Sequence, residues 1–256
     1  MIFCRAVAAG TFALIAAVAT AEAARADQAY VVEGHDTFRT GNGDVRSATV
    51  YRGVQRLTIA RKGGSTTYSA RVEYDREADG GRQHQRASFS STMLPSGEQR
   101  DGPGNDPDYL TVLNQPFAVQ LDEPTMRDLR HVRRAVPFDF PSPMTGATLH
   151  GTLRRLPDAM VGANRAMGIA FEATGPLHGT LPDRPAMQLA GKITMKGTAY
   201  YAYGSALLLA LDATLAIDGN LDDNAQRSPV SIVYTRSIHS TDGRQAARIV
   251  PVPRRT

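Results

Sequence analysis

Two consecutive segments near the C-terminal end alternate in character along their length, with Leu208 as the exception among the small or polar positions of the second. In the first, Ile193, Met195, Gly197, Ala199, Tyr201 and Tyr203 alternate with Lys192, Thr194, Lys196, Thr198 and Tyr200. In the second, Leu207, Leu209, Leu211, Ala213, Leu215 and Ile217 alternate with Leu208, Ala210, Asp212, Thr214, Ala216 and Asp218. Side chains on a strand point to opposite faces in turn, so a period of two is the signature of a half-buried sheet. A helix would gather Leu207, Leu208, Leu211 and Leu215 but turn Leu209 and Ile217 away. The Leu and Ala content favours helix intrinsically, yet the alternation is the stronger signal. Gly204-Ser205 between the segments is a tight-turn pair, and the two arms read as one long β-hairpin. An outer-membrane barrel is disfavoured, because its strands repeat an apolar outward face, whereas Ser69, Arg71, Glu73 and Asp75 put charge on one face of an earlier strand.

The rest of the chain extends this pattern. Residues 46–93 form a meander punctuated by Lys62-Gly63-Gly64-Ser65 and Ala78-Asp79-Gly80-Gly81, both hairpin signals. Tyr68, Ala70, Val72 and Tyr74 share one face, and Ala87, Phe89 and Met93 face the same core. AYVVEGHDTF precedes them as a further strand, and PSGEQRDGPGNDPD at 95–108 reads as a loop. After a short FAVQL strand, DEPTMRDLRHVRRAV carries an acidic cap, Pro124 in the first turn and an apolar stripe of Met126, Leu129, Val132 and Val136, which marks a helix. VPFDFPSP then breaks it. Strands are expected at 146–156, 166–174, 187–203, 205–218 and 228–240. The fold class is mostly β (α+β): antiparallel meanders forming two curved sheets or half-barrels, with one amphipathic helix between the halves. The expected divisions are a signal peptide at 1–23, an N-terminal meander plus helix at 27–136, a Pro-rich crossing at 137–145, a C-terminal β half at 146–240, sharing one core with the first or not, and a tail at 241–256.

The signal peptide rests on Arg5, the apolar Ala6–Ala19 run, and Ala21-Glu22-Ala23 or Ala24-Arg25-Ala26 as the small-residue cleavage site. Export to the periplasm or medium is therefore expected. Cys4 is the only cysteine, and it would leave with that peptide, so the mature chain has no thiol for a disulfide or a metal. Lys62, Lys192 and Lys196 are the only lysines among 29 basic residues, the net charge is +4 and Trp is absent. That composition disfavours nucleic acid as a partner but permits salt-sensitive attraction to an anionic surface.

Meander, helix, Pro-rich crossing and second meander together resemble the half-barrels of periplasmic lipid-carrier proteins. The segment GTAYYAYGSALLLALDATLAIDGNL at 197–221 is similar to strands of uncharacterised secreted bacterial β families. The resemblance rests on pattern and carries no functional residue across; the long two-stranded apolar face, with a single helix able to cap it, is what points to a hydrophobic or lipid-like ligand. Leu207, Leu209 and Leu211 would then line the groove, with Tyr201 and Tyr203 near its mouth. Arg127, Arg130, Arg133 and Arg134 crowd the polar side of the helix, where they could meet an anionic membrane surface or simply form a solvated face.

Catalytic signals are poor. Tyr203-Gly204-Ser205-Ala206-Leu207 lacks the second glycine of a nucleophile elbow. No two of His35, His84, His131, His150, His178 and His239 lie within five residues of each other, which excludes H-E-x-x-H. Leu149-His150-Gly151-Thr152-Leu153 recurs as Leu177-His178-Gly179-Thr180-Leu181, and the two histidines are expected to sit apart on surfaces or turns. Asp218-Gly219-Asn220-Leu221-Asp222-Asp223-Asn224 offers spaced oxygens but lacks the glycine and glutamate of a calcium loop, and reads as a turn. No cofactor or metal is expected. The reading is a non-catalytic exported binder, with an envelope hydrolase acting on glycan or ester, and a structural or adhesive module, as alternatives.

Overall fold

The computed structural model of the chain describes residues 25–41, 43–96, 98–102, 123–132, 134–141, 148–181, 184–222, 226–241 and 248–252. The expected signal peptide at 1–23 and the FAVQL strand lie outside the described residues. The fold is mostly β. Strands β1 (Arg25–Thr40), β2 (Val45–Lys62), β3 (Ser65–Ala78), β4 (Gly81–Met93) and β5 (Gln99–Asp101) come first. Helix α1 (Glu123–His131) and strand β6 (Val136–Pro141) follow, then β7 (Thr148–Arg155), β8 (Ala159–Val161), β9 (Asn164–Leu181), β10 (Arg184–Ala202), β11 (Leu208–Asp222), β12 (Arg227–Ser240) and β13 (Ile249–Pro251).

The first meander is built by its turns. Lys62 pairs with Ser65 and Ala78 with Gly81, leaving two residues in each connection. Gly63 and Gly64 take φ of 57° and 80°, and Asp79 and Gly80 take 50° and 76°. Two successive left-handed residues make the turn whose twist matches that of the flanking strands. The expected register follows: Tyr68, Ala70, Val72, Tyr74, Ala87 and Phe89 are all buried.

Two curved sheets were the expectation, and one continuous antiparallel sheet is the finding. Its strands run β13-β8-β9-β10-β11-β12-β1-β2-β3-β4-β5, with β7 also on β9 and β6 on β7. The seam is β1 against β12, in register from Tyr30 opposite Ser240 to Thr40 opposite Val230. A long strand left unpaired presents a row of unsatisfied amides and carbonyls, and each meander supplies one such edge to the other. One apolar cluster accordingly spans both halves. It holds Tyr30, Leu57, Tyr68 and Phe89 from the first half, Leu149, Met167, Ile193, Leu208, Leu211 and Ile217 from the second, and Met126 and Leu129 of α1. Each fully buried Leu or Ile contributes roughly 1.5–3 kcal/mol.

Four local expectations need correction. The helix ends at His131, and Val136 belongs to β6. The Pro-rich crossing contains that strand, whose Pro137 and Pro141 are tolerated because, among the described residues, β6 pairs only with β7 and so lies at an edge, where a missing N–H costs little. The stretch read as a loop at 95–108 contains β5. The Asp/Asn-rich stretch from Asp218 is strand as far as Asp222, paired with β10 and β12. Its alternation continues, with Ile217 buried and Asp218 and Asp222 exposed, so the oxygens face solvent in line and do not converge.

The most instructive departure lies in the Leu-rich segment. Tyr200 pairs with Ala210 but Tyr201 with Leu208, so Leu209 is an extra residue in a β-bulge. The bulge reverses the alternation for the residues before it. Leu208 is fully buried in the main core, while Leu209 packs into a small separate cluster with Val161, Ala166, Ala202 and Ala210. The connection is wider than Gly204-Ser205 alone: Ala202 N–H donates to Leu207 O, and Ala206 N–H to Ala202 O, both at 2.8 Å.

Candidate functional site

The residues expected to line a hydrophobic site are mostly consumed by packing. Tyr201 and Leu211 are buried in the main core, Leu207 packs against it, and Leu209 is on the far side of the bulge. Burial pushes the Tyr201 phenol well above its ordinary pKa. Tyr203 is different. Its hydroxyl donates to Asp158 Oδ1 and accepts from Arg155 Nη2, both at 2.8 Å. Asp158 also accepts from Arg155 and, at 2.7 Å, from Arg165 Nη2. Burial alone would raise the Asp158 carboxyl, but hydrogen bonds from Arg155, Tyr203 and Arg165 outweigh it and hold the pKa below the usual carboxylate range.

Helix α1 reaches the same cluster. Arg130 donates to Tyr203 O at 3.3 Å, and its guanidinium carbon lies 5.0 Å from the Tyr203 ring centroid, with that of Arg165 at 5.4 Å. Two residues read from sequence as parts of separate surfaces, Tyr203 and Arg130, are thus in contact. Arg127 and Arg134 are exposed, and Arg133 lies outside the described residues. In the β8–β9 turn, Gly162 N–H donates to the Arg248 carbonyl at 3.1 Å. Arg155, Asp158 and Arg165 were missed by sequence reasoning. The β8–β9 hairpin that delivers Arg165 is only three residues long on one side, too short for a clear period.

A second feature crosses the sheet. A groove of about 700 Å³ is lined by three transverse rows of residues on β9, β10, β11, β12, β1 and β2. Cross-strand register puts Phe171, Gly197, Ala213, Arg236, Gly34 and Tyr51 in the middle row. Glu172, Lys196, Thr214, Thr235, His35 and Val50 flank it on one side, and Thr198, Asp212, Ser237, Glu33 and Arg52 on the other. Were the groove on the core face, its walls would be Met195, Leu215, Leu211 and Ile238, and none of these lines it. It therefore opens on the opposite face, with the flanking rows as walls and the middle row as floor. Phe171 lies beneath Gly197 and Arg236 beneath Gly34: a Cβ at these glycines would come within 2.6 Å of Phe171 Cζ and 3.1 Å of Arg236 Nη1. On the core side Arg236 pairs with Asp36 and lies over the Tyr51 and Tyr234 rings.

Within one wall, His239 Nε2 approaches Asp212 Oδ1 at 3.2 Å. That hydrogen bond, with another from Ser237, holds the Asp212 carboxyl below its ordinary pKa. The carboxylate stands between imidazole and hydroxyl. Activating a serine needs the imidazole in the middle, so the order is wrong for a hydrolase triad. Elsewhere His150 contacts Asp139 at 2.8 Å. Its β9 partner is Thr174, four residues from His178, so the two histidines of the echoed motif do not meet. Among the described residues no three His, Cys, Asp or Glu side chains are grouped to hold a metal.

No protein-family model matches the chain, and no curated protein matches it.

Proposed function

We propose that this chain is an exported, non-catalytic binding protein of the bacterial envelope that engages lipid from outside, by docking its basic end on an anionic membrane surface. The observation that carries the reading is the convergence of Arg130 and Arg165 on Tyr203. It joins the basic face of α1 to the end of the sheet. Arg127 and Arg134 extend the patch from the helix, and Asp158 is neutralised within it by Arg155 and Arg165. A cationic surface of this kind gains about 1 kcal/mol per Arg near an anionic leaflet and weakens with salt. The apolar side chains of the Leu-rich segment stabilise the sheet beneath it.

The test is flotation of the purified mature protein with vesicles of phosphatidylglycerol and phosphatidylcholine. Binding is expected to need the anionic lipid and to fall as salt is raised. R127Q/R134Q is expected to weaken it by about 2 kcal/mol, roughly 30-fold, with circular dichroism unchanged because both side chains are exposed. A hydrophobic cargo held under α1, where Met126 and Leu129 turn toward the apolar cluster, is the second reading. Lipid capture that ignores headgroup charge and survives high salt would select it over the first.

A further inference from the structure

We infer that the transverse groove is a second binding site, separate from the basic end, and that it takes an extended peptide segment carrying charges of both signs. The groove is long and narrow. Six strands at 4.7–4.9 Å spacing give a length of about 24 Å, and residues two apart along a strand set the walls about 7 Å apart. A length of about 24 Å accommodates about seven residues of extended chain.

The ends of the groove carry the specificity. Register places Lys196 directly across from Glu172 at one end and Arg52 directly across from Glu33 at the other. All four side chains are exposed, and none forms an ion pair or hydrogen bond with another described residue. Opposite charges facing one another across a sheet attract, and in the first meander such pairs close: Arg86 reaches Glu73 at 3.1 Å and Arg82 reaches Glu77 at 3.9 Å. At the groove both couples stay open, each offering one cation and one anion to an incoming molecule. Between them the walls present the hydroxyls of Thr198 and Thr214, which can donate to a carbonyl or accept from an amide, and those of Thr235 and Ser237, which already donate to His35 O and Asp212 and retain acceptor capacity for an amide.

A ligand that satisfies this arrangement has amide-like donors and acceptors along its middle and mixed charge toward its ends. An extended peptide does. A glycan fits less well, because the aromatic residues of the groove, Phe171 and Tyr51, belong to the floor row and point toward the core, leaving no ring face for a sugar to lie on. Val50 is the one large apolar side chain in the walls, which disfavours an acyl chain.

Fluorescence anisotropy of the full mature protein tests this with a labelled peptide of three Lys-Ala-Ser-Glu repeats. The comparators are the same peptide with Gln for Lys and Glu, and a chitin oligomer as competitor. The charged peptide is expected to bind in preference to the neutral one, and K196Q/R52Q and E33Q/E172Q each to weaken it about tenfold through loss of two ion pairs. R127Q/R134Q is expected to leave peptide binding unchanged, which separates this site from vesicle docking. Equal affinity for the neutral peptide, displacement by the chitin oligomer, indifference to both groove variants, or no binding at all would each overturn the assignment.

Discussion

Asp158 is the residue on which the basic end depends. Its side chain is 14% exposed and that of Arg155 16% exposed, so removing the carboxylate leaves a nearly buried guanidinium without its counter-charge. D158N is expected to cost roughly 3 kcal/mol at neutral pH, the scale for breaking a buried pair. The pH dependence has a definite sign. The folded carboxyl is depressed, so its stabilisation is fully present above the ordinary carboxylate range near about 3.9 and is lost as pH falls through the folded value. Urea melts of wild type and D158N should therefore differ most at neutral pH and draw together on acidification. A gap that widened in acid would contradict the charge assignment. Asp212 is depressed in the same direction, with the His239 hydrogen bond as its first cause, and it contributes to acid sensitivity in both proteins equally.

At the scale of single elements, the two-residue turns and the β-bulge decide where side chains point. Gly80, at φ of 76°, holds a conformation that costs a residue with a Cβ roughly 1–2 kcal/mol. Replacing it with Val is expected to destabilise by about that amount and D79N to be nearly neutral, since Asn visits the left-handed region readily. The urea midpoint distinguishes them. These turns were legible in the sequence because Gly-Gly and Asp-Gly between alternating runs have few other uses. The bulge was not. Leu207, Leu208 and Leu209 are chemically alike, so no pattern of polarity among them could show that the face changes at Leu209. The strand at Val136–Pro141 was hidden for a different reason: its prolines read as breakers, and only the edge position of β6 makes them harmless.

At the scale of the whole molecule, the pairing of β1 with β12 ties the two ends of the chain together. Its contacts join residues some two hundred positions apart, such as Tyr30 and Ser240, so neither meander completes its edge or its share of the core without the other. Protection of β3 in the first half and β10 in the second should therefore be lost in one transition when amide exchange is followed through urea. Deleting residues 227–252, which removes β12 and β13, should abolish protection in both. Retention of a protected first meander after that deletion would show two independent units.

The sequence by itself determined the alternation of the strands, the two glycine turns, the Met126/Leu129 face of the helix and the mostly β class, because each depends on neighbours within a few residues. Only the tertiary structure decided that there is one sheet, that Arg130 and Arg165 both lie against the Tyr203 ring, and that Glu33, Arg52, Glu172 and Lys196 share a groove. Those outcomes follow from which strand edges meet and in what register, and register is set by pairings between distant strands that leave no local trace in the chain.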